Sequence, residues 1–270
     1  MGIGSIKDHR GREKGILVYP VYSRRSQGLS VGINLFPDCK ICSFDCPYCE
    51  VFPFNTKTNF SIQELEENLK EELLQIKTVV KDICFSGNGE PTMSPYFLSA
   101  LESVSIIRNN FAPESDLVLI TNGSTLLNQD IFNALSVFAN GKEKLTIWLK
   151  LDAGTEDWYN KINRSQISYE NLMNKIKDFV EIAPVTIQTM ICKVKGSVSP
   201  QEEILAWEKL VTELSQTGNI QAIHIYGKAR PAFEDPLAEM LPSSYLEERS
   251  FSLKKVLQSA DANTKVEVFP

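Results

Sequence analysis

Residues 39–49 read Cys39-Lys40-Ile41-Cys42-Ser43-Phe44-Asp45-Cys46-Pro47-Tyr48-Cys49 and hold four of the six cysteines of the chain. Within this loop Cys42, Cys46 and Cys49 are spaced C-x3-C-x2-C. Thiolate sulfur is the soft ligand that iron–sulfur clusters take, and three thiolates on one short loop can converge on one cluster. Three ligands on a four-iron cluster leave one iron open to a substrate or cofactor. The spacing therefore predicts a cluster held by Cys42, Cys46 and Cys49.

Three other interpretations of the same loop have to be weighed. Disulfides are disfavoured because no secretory signal precedes the loop and adjacent C-x2-C pairs are poor loop staples. Zinc is disfavoured because only three residues separate the pairs Cys39–Cys42 and Cys46–Cys49, where zinc sites leave about a dozen or more. The run C-x2-C-x3-C-P also matches part of the bacterial ferredoxin pattern, but ferredoxins are much smaller than this chain of 270 residues.

The three-cysteine motif, with aromatic Tyr48 directly before the last cysteine, resembles that of the radical S-adenosylmethionine (radical SAM) enzymes. The resemblance implies a [4Fe-4S] cluster whose open iron chelates S-adenosylmethionine (SAM). It also implies reductive cleavage of the C5′–S bond, giving a 5′-deoxyadenosyl radical that abstracts hydrogen from a substrate. The cofactors carry this chemistry. An electron donor such as flavodoxin or ferredoxin is implied as a partner.

Composition sets broad limits on the function. The chain is 43% hydrophobic and 23% charged, which is typical of a globular protein. No apolar run reaches the roughly 18 residues of a membrane span, and residues 1–14 do not resemble a signal peptide. Cysteines without such a signal indicate a reducing cytoplasm and no membrane partner. The net charge of −6 gives no general attraction to nucleic acid, which weakens, without excluding, an RNA substrate.

Short apolar runs alternate with longer helical patterns from Leu29 onward. Parallel β-α units are expected from this alternation. The predicted strands are Leu29–Phe36, Asp82–Ser86, Asp116–Thr121, Leu145–Leu151, Pro184–Ile191 and Ile220–Tyr226, with a further terminal strand at Val266–Phe269. The predicted fold class is α/β, a partial (βα)6 TIM-like barrel in a single domain, which is also the core that the resemblance implies. An open doubly wound sheet is the structural alternative.

Helix signals support this division. Ser61-Ile62-Gln63-Glu64 and Ser199-Pro200-Gln201-Glu202 are capping-box patterns, and Ser94-Pro95 predicts a third helix start. The expected organisation is an N-terminal extension over 1–28, a barrel over 29–232 and a closing helix and strand over 233–270. Chemistry in such barrels lies at the carboxyl ends of the strands.

Polar or glycine-rich residues follow each predicted strand. Lys150 and Asp152 stand out because they interrupt an apolar run, and they lie two apart, on the same side of a strand. They are interpreted either as a buried salt bridge or as groups that face the cavity. His224 is taken as isolated, without a metal-binding role. The candidate site residues at the strand ends are Gly87, Asn88, Gly89, Glu90, Asn122, Lys150, Asp152, Gln188, Tyr226 and Arg230, and Tyr48 in the cysteine loop is a further candidate.

The resemblance extends to several of these residues. In the family a Gly-Gly-Glu-Pro stretch binds the SAM amino group, and here Asn88 replaces its first glycine while Gly89 and Glu90 match. Family members often read Lys-Leu-Asp-Ala where this chain has Lys150–Ala153, and polar residues there hold the SAM ribose and carboxylate. The backbone near Tyr226 corresponds to the adenine contact. Tyr226 as a plain core residue and Arg230 as a surface charge are the alternatives.

The Ser23-Arg24-Arg25 segment and the run Gly28–Leu35 are similar to one branch of the family, the iron–sulfur oxidoreductases related to wyosine-type tRNA-modifying enzymes. The predicted function is a radical SAM enzyme whose substrate, a small molecule, a peptide or RNA, stays open. Two other classes compete with it, namely an electron-transfer or sensing protein whose cluster binds no SAM, and a zinc-dependent nucleic-acid binder. Cys39 is expected not to be a ligand.

Overall fold

The computed structural model describes residues 15–51, 53–55, 60–228, 230, 232, 235 and 238–270. The polar segment 1–14, Ala229 and Pro231 lie outside these residues. The strands are β1 (Val18–Ser23), β2 (Gly28–Asn34), β3 (Val80–Ser86), β4 (Asp116–Thr121), β5 (Thr146–Lys150), β6 (Val185–Ile191), β7 (Ile220–Gly227) and β8 (Lys265–Phe269). The helices are α1 (Ile62–Gln75), α2 (Phe97–Phe111), α3 (Gln129–Asn140), α4 (Glu156–Ile162), α5 (Tyr169–Ile182), α6 (Gln201–Thr217) and α7 (Ser243–Ser259).

The chain divides into two compact units. The first comprises residues 1–42, 51–121 and 137–146, and the second comprises residues 43–50, 122–136 and 147–270. In the first unit β1 pairs with β2 antiparallel, and β2–β3 and β3–β4 are parallel. In the second unit β5–β6, β6–β7 and β7–β8 are all parallel.

The predicted fold class is confirmed. Strands alternate with helices along the chain, and the sheet has eight strands, all but β1 in parallel pairings, as expected for a partial TIM-like barrel. β6 illustrates why these segments form parallel strands, because its first five residues, Val185–Thr189, are all buried. All six predicted strands and the terminal strand β8 are present, with ends that differ from the predicted ones by at most two residues.

Local signals explain most helix starts. The Ser61 side chain caps α1 by accepting a hydrogen bond from the Glu64 amide, and the buried stripe of α1 is Leu65, Leu69 and Leu73. The second capping-box prediction is wrong in detail, because the N-cap of α6 is Pro200 and no side chain caps it. The expected start at Ser94 is also wrong. Ser94 Oγ accepts from the Tyr96 amide in a turn, and α2 begins at Phe97.

Two elements were not expected from the sequence. β1 lies in a segment without clear periodicity and forms a hairpin with β2. α4 has only seven residues, too few for a helical pattern to stand out, and Thr155 caps it by accepting from the Trp158 amide. α4 matters for function because Asn163, the residue that ends it, reaches the cysteine loop. No described helix is long and apolar enough to cross a lipid bilayer.

Candidate functional site

The cysteine loop, residues 39–49, contains a turn. In this turn the backbone amide of Cys49 donates a hydrogen bond to the Cys46 carbonyl at 3.0 Å. Cys46 is buried, whereas Cys42 and Cys49 are partly exposed. All six cysteines fall among the described residues and are thiols, not disulfides. Among the residues that the structure describes, no three Cys, His, Asp or Glu side chains are grouped as the ligands of a single metal ion would be. Cys39 pairs with Asn55 through a backbone bridge.

Cys46 is contacted by the residue that ends α4. The Asn163 side-chain amide donates to Cys46 Sγ at 3.6 Å and to Asp152 Oδ2 at 3.1 Å. The Asn163 carbonyl in turn accepts from the Asp45 amide at 2.8 Å. Asn163 is only 2% exposed, so these bonds form away from competing water. The cysteine loop is therefore fixed on both its backbone and its buried thiol by one asparagine.

Four of the predicted site residues come together in the second unit. Lys150 Nζ lies 3.3 Å from Asp152 Oδ2 and donates to the Tyr226 hydroxyl at 2.6 Å. The Tyr48 hydroxyl donates to Asp152 Oδ2, and the Met190 amide donates to Asp152 Oδ1 at 2.9 Å. The Lys150 ammonium also lies 5.0 Å from the ring centre of Tyr48 and 5.3 Å from that of Tyr226.

Of the two interpretations of Lys150 and Asp152, the structure shows the buried salt bridge. The pair is also surrounded by polar groups, since the Asp152 side chain has no exposed area and accepts from Tyr48, Asn163 and the Met190 amide. A buried carboxylate is stable only with such partners. The arrangement places one cation and one anion within the same group of residues that contacts Cys46.

Burial and these charges shift the pKa values of the group. Burial raises the pKa of the Cys46 thiol to about 11, against the opposing effects of the Lys150 charge and of hydrogen bonds from Tyr48 and Asn163. Burial, reinforced by Asp152, holds the pKa of Tyr48 well above its usual value, so Tyr48 is a neutral donor. Burial alone would lower the pKa of Lys150, but Asp152 and Tyr226 reverse this and raise it, so the ammonium is charged.

In the first unit, the segment after β3 is joined to the start of the cysteine loop. Ile41 and Gly89 form a parallel bridge, and the Glu90 amide donates to the Ile41 carbonyl at 2.8 Å. A Cβ atom at Gly89 would lie 1.9 Å from the Ile41 carbonyl oxygen, so only glycine permits this approach. The glycine of the motif is therefore required by its contact with the residue before Cys42.

The side chains around Gly89 are fixed by buried hydrogen bonds. The backbone amide of Asn88 donates to Asn34 Oδ1, and its side-chain amide donates to the Phe36 carbonyl, both at 3.1 Å. Gly87 has a positive φ of 103°, and a side chain there would meet Asn34. Glu90 is 3% exposed, and its Oε1 accepts from the hydroxyls of Thr92 and Thr121. Asn88 thus fills the position of the family glycine as a structural side chain.

The side chains of Asn122, Arg230 and Gln188 bond to partners other than Lys150 and Asp152, although Gln188 lies opposite Lys150 in the pairing of β5 with β6. Asn122 donates to the Ser43 hydroxyl at 3.2 Å, so it contacts the cysteine loop. Arg230 pairs with Glu50, which directly follows Cys49, at 3.1 Å on the protein surface. Gln188 is buried in β6 with its side-chain nitrogen 2.6 Å from His224 Nδ1. His224 Nε2 lies 3.2 Å from Glu267, so the expectation that His224 is isolated is wrong.

Asn163, His224 and Glu267 are the polar residues near the site that sequence reasoning missed. Asn163 lies in no motif and follows a helix too short to predict. His224 and Glu267 are partners in register across β7 and β8, and this pairing depends on strand alignment. The signal available in the sequence was a single polar residue inside each of two apolar strand patterns. Buried polar residues at such positions usually have partners.

A model of the radical SAM superfamily matches residues 37–196, which is more than half of the chain. Among curated proteins the chain is similar to a UPF0026 protein of Methanocaldococcus jannaschii, with 30% identity over 151 residues, 54% of this chain and 43% of that protein. The chain thus spans less than half the length of this relative. The range matched by the family model includes the positions of Cys42, Cys46, Cys49, Lys150 and Asp152.

Two solved structures have a similar fold. One is SuiB of Streptococcus suis bound to the precursor peptide SuiA, with a TM-score of 0.66 and 14% identity over 86% of this chain and 47% of SuiB. The other is anSMEcpe with bound AdoMet, with a TM-score of 0.57 and 16% identity over 86% of this chain and 63% of that chain. At these identities the likeness concerns the fold alone.

Proposed function

Because the chain belongs to the radical SAM superfamily, we propose that it is a radical SAM enzyme. Cys42, Cys46 and Cys49 hold a [4Fe-4S] cluster through their thiolates, and the fourth iron is left for SAM. When bound, the cluster and SAM together supply an electron and a 5′-deoxyadenosyl radical that abstracts hydrogen from the substrate. The protein supplies the orientation of these groups and the exclusion of water.

The observation that carries this proposal is the set of buried polar groups around Cys46. Asn163 donates to its sulfur, and Lys150, Asp152 and Tyr48 lie in the same hydrogen-bonded group. N–H donors to cysteine sulfur are a general means of stabilising iron–sulfur clusters. The donor set also fits, since three thiolates on one loop suit iron better than hard cations.

Different residues of this chain are assigned to different chemical groups of SAM. Lys150 and Asp152 offer opposite charges, so Lys150 suits a carboxylate and Asp152 suits ribose hydroxyls. Gly89 and Glu90 suit the amino group through their backbone carbonyls. Tyr226 lies at the end of β7, where the adenine is expected. Tyr48 holds Asp152 in place by donating its hydroxyl.

Asn122, Gln188 and Arg230 complete the proposed set, together with Gly87 and Asn88, which shape the segment after β3. Asn122 and Arg230 act through the cysteine loop, because they bond Ser43 and Glu50. Gln188 acts from inside the sheet with His224. Reduction of the cluster requires a donor such as flavodoxin or ferredoxin, and a cytoplasmic location fits the reduced thiols.

The substrate stays open between a small molecule, a peptide and RNA. A tRNA base, as in the wyosine-type enzymes, is supported by the resemblance of residues 23–35 alone and is disfavoured by the net charge of −6. An electron carrier or sensor is the alternative from another class. The two classes differ in one measurable respect, namely whether SAM is cleaved.

The test is formation of 5′-deoxyadenosine by anaerobically reconstituted protein with SAM and dithionite. We expect wild-type protein to form it, and Cys42→Ala, Cys46→Ala and Cys49→Ala to form none. Cys39→Ala is the matched control within the same loop, and it should retain measurable product. Full activity in the Cys42 variant, or no product from wild-type protein that carries its cluster, would contradict the proposal.

A further inference from the structure

A cleft outside the cysteine loop lies within the second unit. It lies between the end of β6 and the helices α4, α6 and α7, it is partly open to solvent, and it leaves about 30 Å³ for the centres of water-sized molecules, which is room for a small group. Its lining combines several large apolar side chains with a few polar ones. Among the residues that line it are Asp152, Trp158, Glu203, Trp207, Tyr245 and Arg249. Concave, mostly apolar surfaces with a few polar groups are typical ligand sites.

Arg249 is the one cation among the described residues of this lining. Its side chain is only 12% exposed, and its Nε is buried with no hydrogen-bond partner in the described part of the chain. The guanidinium bonds the neighbouring Glu248, whose side chain is 66% exposed, and it lies 5.3 Å from the ring centre of Tyr245. A bond to an exposed carboxylate is weak and easily exchanged for a better anion. Arg249 therefore has hydrogen-bonding capacity left for a ligand.

The two acids of the cleft do not compete for Arg249, because both are already bonded elsewhere. Asp152 pairs with Lys150 and accepts from Tyr48. Glu203 accepts from the Gly154 amide at 2.6 Å and from the Thr155 hydroxyl. Arg249 is therefore the charged group of this lining whose present bond, to the exposed Glu248, is most easily exchanged for one to a ligand.

The apolar wall of the cleft includes two largely buried indole rings. Trp158 and Trp207 are 9% and 5% exposed, and the Trp207 indole nitrogen donates to the Leu151 carbonyl at 3.2 Å. Indole rings fixed in this way pack against flat or apolar bodies. The planar guanidinium of Arg249 matches a carboxylate or phosphate, to which it can donate two parallel bonds.

We propose that this cleft binds the substrate of the radical reaction, with a carboxylate or phosphate on Arg249 and an apolar body against Trp158 and Trp207. This inference rests on the proposed function. Asp152 connects the two sites, because it lines the cleft and also bonds Tyr48 and Asn163 beside Cys46. A ligand in the cleft would thus be held next to the residues proposed to bind SAM.

The test uses the reconstituted full chain before SAM is added, with titration calorimetry of three probes: phenylacetate, phenyl phosphate and the neutral phenylacetamide. We expect binding of at least one of the two anions and none of phenylacetamide, and the better anion distinguishes a carboxylate from a phosphate substrate. Arg249→Gln should weaken that binding roughly tenfold to 100-fold, as loss of a charged hydrogen bond does. Lys254→Gln, an exposed cation on α7, is the matched control and should change nothing.

Arg249→Lys is the second variant, and it should bind the anion more weakly than wild type but better than Arg249→Gln, because it keeps the charge without the planar fork. Equal binding in wild type and Arg249→Gln, or binding of phenylacetamide as tightly as of the anions, would overturn the inference, and so would failure of both anions to bind wild type. The outcome is separable from the proposed function. Anion binding without 5′-deoxyadenosine formation would retain the cleft and reject the radical chemistry, and the reverse result would do the opposite.

Discussion

The side-chain amide of Asn163 donates a hydrogen bond to Sγ of Cys46, at a nitrogen–sulfur distance of 3.6 Å. The contact is buried, with Asn163 2% and Cys46 8% exposed. A donor to a cluster sulfur stabilises the reduced state, which carries the additional negative charge. If Cys46 is a cluster ligand, Asn163 helps to set the potential at which the cluster accepts an electron.

Asn163→Leu should therefore lower the reduction potential of the cluster. Loss of about 0.5–1.5 kcal/mol of stabilisation of the reduced state corresponds to a fall of roughly 20–60 mV for a one-electron couple. The measurement is a potentiometric titration followed by EPR. Asn133→Leu, at an exposed position on α3, is the control and should leave the potential unchanged. An unchanged potential in Asn163→Leu would contradict this effect.

The Lys150–Asp152 pair makes a prediction about stability. Lys150→Met leaves the fully buried Asp152 carboxylate without its counter-ion, which should lower the free energy of unfolding by about 3 kcal/mol. The double variant with Asp152→Asn should recover part of this loss, because no unpaired charge remains. Denaturant unfolding of the two single variants and the double variant gives the coupling energy directly. Strictly additive losses would mean that the two charges do not interact.

The sequence was sufficient to predict this pair, and not its surroundings. A lysine and an aspartate two apart in an apolar run indicate a special environment. The contact of Tyr48 with Asp152 joins residues 104 positions apart, and that of Asn163 with Cys46 joins residues 117 apart. Such contacts depend on how the elements pack, which local patterns do not encode.

Gly89 provides a test of the connection between the segment after β3 and the cysteine loop. Gly89→Ala would place Cβ 1.9 Å from the Ile41 carbonyl oxygen, so the backbone has to move, at a cost of about 1–3 kcal/mol. We expect a lower melting temperature and less iron bound per chain after reconstitution. Gly196→Asn is the control, because Gly196 has open space around it and asparagine tolerates its positive φ. Wild-type stability and iron content in Gly89→Ala would show that this approach is not required.

The raised pKa of Asp82 should make the free energy of unfolding depend on pH, independently of the proposed site. Burial raises the pKa of Asp82 and Asp116 adds to the shift, while Ser26, Ser30 and Arg25 oppose it. Between its ordinary pKa of 3.8 and the raised one, the folded chain holds a proton that the unfolded chain has released. The free energy of unfolding therefore falls as pH rises through this window.

Asp82→Asn should remove that component, so the stability of wild type relative to the variant should decline as pH rises above about 4. Urea unfolding at several pH values gives the difference in free energy of unfolding between wild type and Asp82→Asn. The prediction concerns the change of this difference with pH. A difference that stays constant, or that grows in favour of wild type as pH rises, would contradict a raised pKa.

The fold was more predictable than the site because parallel strands buried on both faces leave a strong pattern of apolar runs. β6 and β7 were located within one or two residues for this reason. β1 was missed because Val18–Ser23 is short and half-exposed, and it is recognised as a strand only through its pairing with β2. The start of α2 was misplaced because Ser94 forms a turn with Tyr96 before the helix begins.

The most direct test of the account is the EPR spectrum of the reduced, anaerobically reconstituted protein, recorded with and without SAM, together with an iron count. We predict about four irons per chain and a [4Fe-4S]⁺ signal whose g-values change when SAM is added, because SAM binds the iron that Cys42, Cys46 and Cys49 leave open. A four-iron cluster whose spectrum ignores SAM would contradict the account, and so would a protein that takes up zinc and no iron.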